Sequence, residues 1–158
     1  MIEYISYESV NGIPFGATEE ELIEILGKPD KFSKDRKNNL IIRFQDFAIN
    51  FNQEGKFIYC GVHPTAKVTI NGEPVGWTLK EVAPIIRIDS HPVVDDAYII
   101  LRDLGVTFIN FHDIEDDDRS ERVMAFFARD EMEVYDSEKP FELIDDQENS
   151  YNRLKIIE

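Results

Sequence analysis

Asn11-Gly12-Ile13-Pro14-Phe15-Gly16-Ala17-Thr18-Glu19-Glu20-Glu21-Leu22 and Asn71-Gly72-Glu73-Pro74-Val75-Gly76-Trp77-Thr78-Leu79-Lys80-Glu81-Val82 read as two copies of one segment. Asn, Gly, Pro, Gly, Thr and Glu recur at identical spacing, 60 residues apart. The same offset returns downstream, where Ile49-Asn50-Phe51 matches Ile109-Asn110-Phe111. Two separate blocks holding one offset point to a tandem duplication, and a fixed period of this kind decides the fold before any local reading.

Each copy opens a helix for a physical reason. Thr18 and Thr78 stand as N-caps, with Glu21 and Glu81 at the capping-box position, where the Thr hydroxyl takes the N3 amide and the Glu reaches back to the cap amide. Ala17 with Leu22, and Trp77 with Val82, occupy hydrophobic-staple positions. Leu22, Ile25 and Leu26 form an apolar face at helical spacing, with Glu19, Glu20 and Glu24 outward. Gly27 stops this helix and Pro29 prevents its return. In the second helix Pro84 removes a backbone donor, which predicts a kink or an early end.

After each helix the period changes to that of strands. Leu40–Phe44 and Phe47–Phe51 read as a hairpin, with Phe47, Ile49 and Phe51 on one side and Ala48 and Asn50 on the other. Asn52–Gly55 is a turn and Lys56–Val62 the next strand. The second copy reads Tyr98–Leu101, Val106–Phe111 and Val123–Ala128, with Met132–Tyr135 as a further strand. Val93, Ala97, Leu101 and Leu104 also fit a helix ending at Gly105; alternation in the aligned first copy favours strands. Ser6–Val10 and Lys67–Ile70 read as leading strands before the two Asn-Gly turns. In the tail, Phe141, Leu143 and Ile144 are anchors and Leu154–Ile157 an edge strand, with a helix or a disordered end as alternatives.

The expected fold is α+β: two tandem modules, each a short helix or helix-loop-helix packed on an antiparallel β-meander. The boundaries fall at 1–64 and 65–136, with 137–158 as an acidic C-terminal extension. A copy of 60 residues has little apolar surface to bury alone, so the two should share a core or continue one sheet.

The pattern Gly-x-Thr-x-x-Glu opening a helix, closed in the first copy by Leu26-Gly27-Lys28-Pro29 and followed by a meander, resembles a known module. It is similar to the helix-loop-helix and meander unit of the β-lactamase inhibitory protein family and of the small SmpA/OmlA-type lipoproteins. The tandem arrangement resembles that of the inhibitory proteins, and cytoplasmic immunity proteins of bacterial toxin systems look similar. The resemblance runs over residues 6 to 135 and rests on Gly16, Thr18, Glu21, Leu26, Gly27, Pro29, Gly76, Thr78 and Glu81. These are scaffold positions. What they imply is a rigid sheet surface presented to a protein partner.

Composition narrows that partner. The 158 residues carry 32 acidic and 17 basic side chains, a net charge of −15. Such a surface repels phosphate backbones and anionic membranes, so neither nucleic acid nor membrane is an expected partner. From Asp113 to Glu148 there are 15 acidic residues against four basic ones, a net −11. Within this stretch Asp113, Glu115, Asp116, Asp117 and Asp118 form a hairpin loop longer than its first-copy counterpart. Loops grown on a duplicated scaffold are natural sites of function. This one is expected to dock a basic protein, such as a toxin domain and in particular a nuclease, and to speed its capture. Asn50 and Asn110, at equivalent strand positions, either line an open sheet face that meets the partner or are ordinary solvent positions. A solvated loop that only maintains solubility is the competing reading.

Other chemistry finds little support. The acidic run lacks the order and central glycine of a calcium loop. Cys60 and His63, even with His91 and His112, read as a buried thiol and scattered histidines, not as a zinc set. Serine-hydrolase and phosphate-loop motifs are absent from the sequence. No cofactor, metal or catalytic residue is expected. A single cysteine, no apolar leader and no long apolar run point to a cytoplasmic protein, monomeric or homodimeric. The expectation is therefore a non-catalytic immunity protein. An assembly module without inhibitory activity and a small-molecule sensor are the alternatives.

Overall fold

The computed structural model describes residues 1–111, 120–146 and 151–157. Strands dominate, and both helices are short, which makes the chain an α+β protein with largely antiparallel sheets. The first half runs β1 (Ile2–Ile5), β2 (Ser9–Val10), β3 (Ile13–Pro14), α1 (Glu19–Leu26), β4 (Lys31–Lys34), β5 (Leu40–Arg43), β6 (Phe47–Phe51) and β7 (Phe57–Val62). Then follow β8 (Val68–Ile70), β9 (Glu73–Val75), α2 (Leu79–Ile86), β10 (Val93–Asp95), β11 (Tyr98–Leu101), β12 (Val106–Ile109) and β13 (Val123–Phe127). A hairpin of β14 (Lys139–Asp146) and β15 (Tyr151–Ile156) ends the chain.

The two helices begin and end 60 residues apart, because both ends are set locally. The Glu21 amide donates to Thr18 Oγ1 at 3.2 Å, and the Glu81 amide to Thr78 Oγ1 at 3.1 Å. The Glu carboxylates do not reach back to the cap amide; each accepts the cap hydroxyl proton, at 3.1 and 2.8 Å. Such caps contribute about 1 kcal/mol each. The staple residues Ala17, Leu22, Trp77 and Val82 are all buried. Two expectations are corrected. Ile25 points to solvent, 63% exposed, and the buried stripe of α1 is Leu22 with Ile23 and Leu26. Pro84 does not shorten α2, because Lys80, whose carbonyl loses its donor, lies with Pro84 on the exposed side.

The small sheet has the order β3-β2-β1-β8-β9, with β1 antiparallel to β2 and parallel to β8. The hairpins β2–β3 and β8–β9 turn at Asn11-Gly12 and Asn71-Gly72, where all four residues have positive φ, between 51° and 86° for Asn11, Gly12, Asn71 and Gly72. This is the left-handed pair that an Asn-Gly hairpin favours. Both asparagines then grip the N-terminal segment: Asn11 Oδ1 accepts from the Glu3 amide at 2.7 Å, and Asn71 Oδ1 from the Ser6 amide at 2.9 Å. Ser6–Val10 is thus not one strand. The chain reverses at Tyr7 (φ 60°) into β1 and β2, and Tyr4 Oη accepts the Tyr7 amide at 3.1 Å.

The large sheet has the order β15-β14-β10-β11-β12-β13-β7-β6-β5-β4. The meander β4–β7 runs outward from a central seam, where β7 pairs antiparallel with β13 in the register Gly61↔Ala125 and Tyr59↔Phe127. The meander β10–β13 runs outward from the other side, so the order reads the same from either edge of these eight strands. Residues 93–104 are strands with a tight turn at Asp96 (φ 49°), not a helix. β12 stops at Ile109 and not at Phe111, because Asn110 is left-handed (φ 65°). Met132–Tyr135 is not a strand either; it belongs to an irregular strap held by long-range side-chain bonds. The terminal hairpin extends the sheet through Val93↔Pro140 and Val94↔Lys139. Phe141 is buried, Leu143 and Leu154 pack on the core, and Ile144 faces outward.

A single core lies between one face of the large sheet and the layer formed by the helices and small sheet. Tyr4 of β1 stacks on Phe126 of β13 with ring centroids 4.2 Å apart, and Phe15 packs on Phe57 at 4.6 Å. Trp77 packs inward as its staple position requires. Its Nε1 donates to the Ala66 carbonyl at 2.9 Å and its ring stacks on Phe111. With one face of the large sheet so occupied, the opposite face at the seam is left for other work.

Candidate functional site

The acidic hairpin loop singled out from the sequence, with Asp113, Glu115, Asp116, Asp117 and Asp118, lies outside the described residues. The residues at its two ends are held firmly. Asn110 Nδ2 donates to the Glu121 carbonyl at 2.8 Å. The guanidinium of the buried Arg122 donates to the carbonyls of Asn110 and Trp77 and lies 5.7 Å from the Phe111 ring centroid. This corrects the reading of Asn110: its amide ties the loop ends together and does not face an open sheet. Asn50 does sit on the open face, in β6, paired with Tyr59 of β7. The two asparagines are not brought together.

What the structure assembles on that face is a cleft over the β7–β13 seam. Alternation decides its lining. Cys60, Val62, Met124 and Phe126 point into the core, so Tyr59, Gly61, Ala125 and Phe127 point the other way. One row across five strands runs Ala48, Gly61, Ala125, Thr107, Ile100. Its residues at the seam are small, which leaves a trough between larger neighbours. The Tyr59 ring lies over Gly61, since a Cβ built there would come within 2.9 Å of Tyr59 Oη. An aromatic covering a strand glycine in this way is a recurrent packing device. Tyr59 and Phe127 meet edge to face at 5.1 Å.

The cleft has two lobes that share Tyr59, Phe127, Glu131 and Glu133. The larger, about 640 Å³, reaches past Asn50 and Asn39 to the β4–β5 turn, where Arg36 and Lys37 stand. The smaller, about 290 Å³, is bounded by Tyr98, Tyr135, Met132 and the floor of β11–β13. Tyr98 and Tyr135 stack nearly parallel, 7° apart, with centroids 5.9 Å apart.

The wall of the smaller lobe is the strap, residues 128–138. Glu138 pairs with Arg102, Arg102 Nη2 also donates to the Glu133 carbonyl at 2.8 Å, and Ser137 Oγ donates to Asp95 at 2.6 Å. Tyr7 donates to the Arg102 carbonyl and contacts Met132 Sδ. The Arg102 partner holds the Glu138 carboxyl below the usual carboxylate range. Glu131 and Glu133 are exposed at the cleft rim, and among the described residues neither carboxylate has an ion-pair partner. Burial raises the Tyr59 hydroxyl well above its ordinary value. The Tyr135 hydroxyl is raised by burial first and then by the Glu133 charge beside it.

Two other groupings have no reactive arrangement. Ser90 Oγ lies 2.8 Å from His91 Nδ1 and 2.5 Å from Asp103 Oδ2. The serine's proton goes to the carboxylate and its oxygen accepts from Nδ1. That order places serine in the middle, where a catalytic relay needs histidine. Asp89 completes the cluster by accepting the His91 and Asp103 amides, each at 2.9 Å, so the group clasps the end of α2 to the β11–β12 turn. Cys60 is fully buried, and burial pushes its thiol far up, which leaves no thiolate to react. Among the described residues no cluster of His, Cys, Asp and Glu could hold a metal ion, and no helix is long and apolar enough to cross a membrane.

The aromatic residues and Glu131/Glu133 were not foreseen as a site. The signal was present in the phase of β7 and β13, where Tyr59, Gly61, Ala125 and Phe127 alternate with the core set. Comparison with family models, with curated proteins and with solved structures found no match to this chain.

Proposed function

We propose that this chain is a non-catalytic binding protein that captures a basic protein partner on the open face of its large sheet. The role in view is that of a cytoplasmic immunity protein, occluding a toxin domain. The observation that carries the reading is the cleft over the β7–β13 seam: a stiff sheet face with an aromatic lining and two carboxylates that no cation neutralises among the described residues. Aromatic side chains backed by rigid strands supply buried contact at low entropic cost, which suits a protein-binding face. The charge of −15 would steer a basic partner toward it. A toxin whose own cleft binds phosphate has the complementary charge.

The scaffold reading that goes with this is a duplicated helix-plus-meander unit. It is supported by helices 60 residues apart, by matched left-handed Asn-Gly turns, and by a strand order that mirrors itself across the seam. In that reading residues 1–64 and 65–136 are the two units, and 137–158 completes the sheet edge. The seam, where the copies meet, is then where a binding face common to both arises.

Co-expression with the protein encoded beside it tests the function. Rescue of growth by the intact chain, lost when Glu131 and Glu133 are both changed to Lys, is the expected result. Physical association without any effect on the partner's toxicity would move the chain to the class of assembly modules. No association at low salt would end the proposal.

A further inference from the structure

We propose that the smaller lobe of the cleft is a receptacle for one cationic side chain, an arginine or lysine presented by the protein partner. This rests on the binding role above and says which chemistry the cleft recognises. Four aromatic rings surround the lobe: Tyr59, Tyr98, Phe127 and Tyr135. Tyr59 and Phe127 stand nearly perpendicular, at 74°, so they form two walls of a corner and not one flat surface. Ring faces carry negative potential, and a cation within about 6 Å of a ring centroid is attracted to it. Glu131 and Glu133 stand at the mouth, exposed, and among the described residues no Lys or Arg forms an ion pair with either. Of the cations at the strap, Arg102 pairs with Glu138 and Arg129 lies over the Tyr7 ring.

The chain already uses this chemistry elsewhere, since the Arg129 guanidinium lies 4.6 Å from the Tyr7 ring centroid. A neutral apolar occupant would leave the two carboxylates facing a dehydrated rim, and an anion would be repelled by them. A cation satisfies both the rings and the rim. The lobe volume of about 290 Å³ admits one long side chain and not a folded element.

The test uses the full chain and small probes whose charge alone differs: Nα-acetyl-arginine methylamide, its lysine counterpart, and the neutral citrulline analogue. The readout is NMR chemical shift. The expected result is saturable shifts of the Tyr59, Tyr98, Phe127 and Tyr135 ring signals with the arginine or lysine probe and none with citrulline. The Glu131→Gln/Glu133→Gln double variant, altered only at exposed positions, should keep its fold and lose roughly tenfold in probe affinity. Equal responses to arginine and citrulline, or shifts that map away from these rings, would overturn the proposal. The two readings fail separately. A basic partner that binds the double variant as tightly as the native chain removes the receptacle and leaves the binding role. Probe binding at the rings together with failure to associate with the neighbouring protein removes the role and leaves the receptacle.

Discussion

Replacing Gly61 by Ala separates an open sheet face from a sealed core. Gly61 lies mid-strand in β7 and pairs with Ala125 across the seam and with Ala48 on its other side. Its φ is not positive, so the backbone accepts alanine without strain. Removing the glycine's conformational freedom in the unfolded chain should stabilise by about 0.4–1 kcal/mol. Against this, the new Cβ would lie 2.9 Å from Tyr59 Oη and 3.1 Å from Cε1, so the ring must lift. If the cleft is open, the ring moves into solvent-filled space and the loss is its edge contact with Phe127, about 0.5–1.5 kcal/mol. The two effects nearly cancel, and the net change should stay within about 1 kcal/mol, a Tm shift of no more than about 2–4 °C. Partner binding should still fall, because Tyr59 borders both lobes. Guanidinium unfolding beside a binding titration measures the two quantities independently. A destabilisation of about 3 kcal/mol, the scale of an overpacked interior, would show that Tyr59 has nowhere to go and would refute the open-face reasoning.

Thr18→Ala and Thr78→Ala should each cost about 1 kcal/mol in equilibrium unfolding, and the double variant about the sum, because the caps share no partner; clear non-additivity would mean the helices are coupled. The Arg102–Glu138 pair makes a pH prediction. Its carboxyl is depressed in the folded state, so the stability it confers is present above the unfolded carboxyl value of 4.5 and is lost as pH falls through the lower folded value. Glu138→Gln should therefore flatten the acid limb of the stability–pH curve in that window and leave its neutral limb parallel to the native one. Cys60 should resist alkylation in the native protein and react at the rate of global unfolding, measured by mass spectrometry across denaturant; fast native labelling would contradict its burial.

The parts of the fold set by short-range chemistry were legible in the sequence. Thr18 with Glu21 and Thr78 with Glu81 placed both helix starts, and the Asn-Gly pairs placed both hairpins of the small sheet. Features decided by distant contacts were not. Nothing in the residues around Tyr7 fixes the reversal alone; the Arg102 carbonyl, which accepts from Tyr7, and the Leu104 and Gly105 carbonyls, which accept from Tyr4 Oη, hold it from far along the chain. Ile25 looked like a core residue by spacing, yet an eight-residue helix needs only Leu22, Ile23 and Leu26 to cover its contact. Met132–Tyr135 reads as a further strand in the sequence, whereas the course of the strap is fixed by Arg102, Glu138 and Asp95. The site was half legible. Asn50 belongs to the open face and acidic residues do border it, but at Glu131 and Glu133. Which face of β7 and β13 stays open depends on where the small sheet packs, and that lies beyond local pattern.

On the proposed reading, a basic partner binds the seam face of the large sheet. Carboxyl footprinting of Glu131 and Glu133, in the chain alone and with the neighbouring gene's product bound, tests it most directly. Both carboxylates are exposed in the free chain and should be modified readily. In the complex, strong protection at both, with Glu19 and Glu20 of α1 unchanged, is the predicted result. Full binding with Glu131 and Glu133 modified as fast as before would contradict the account.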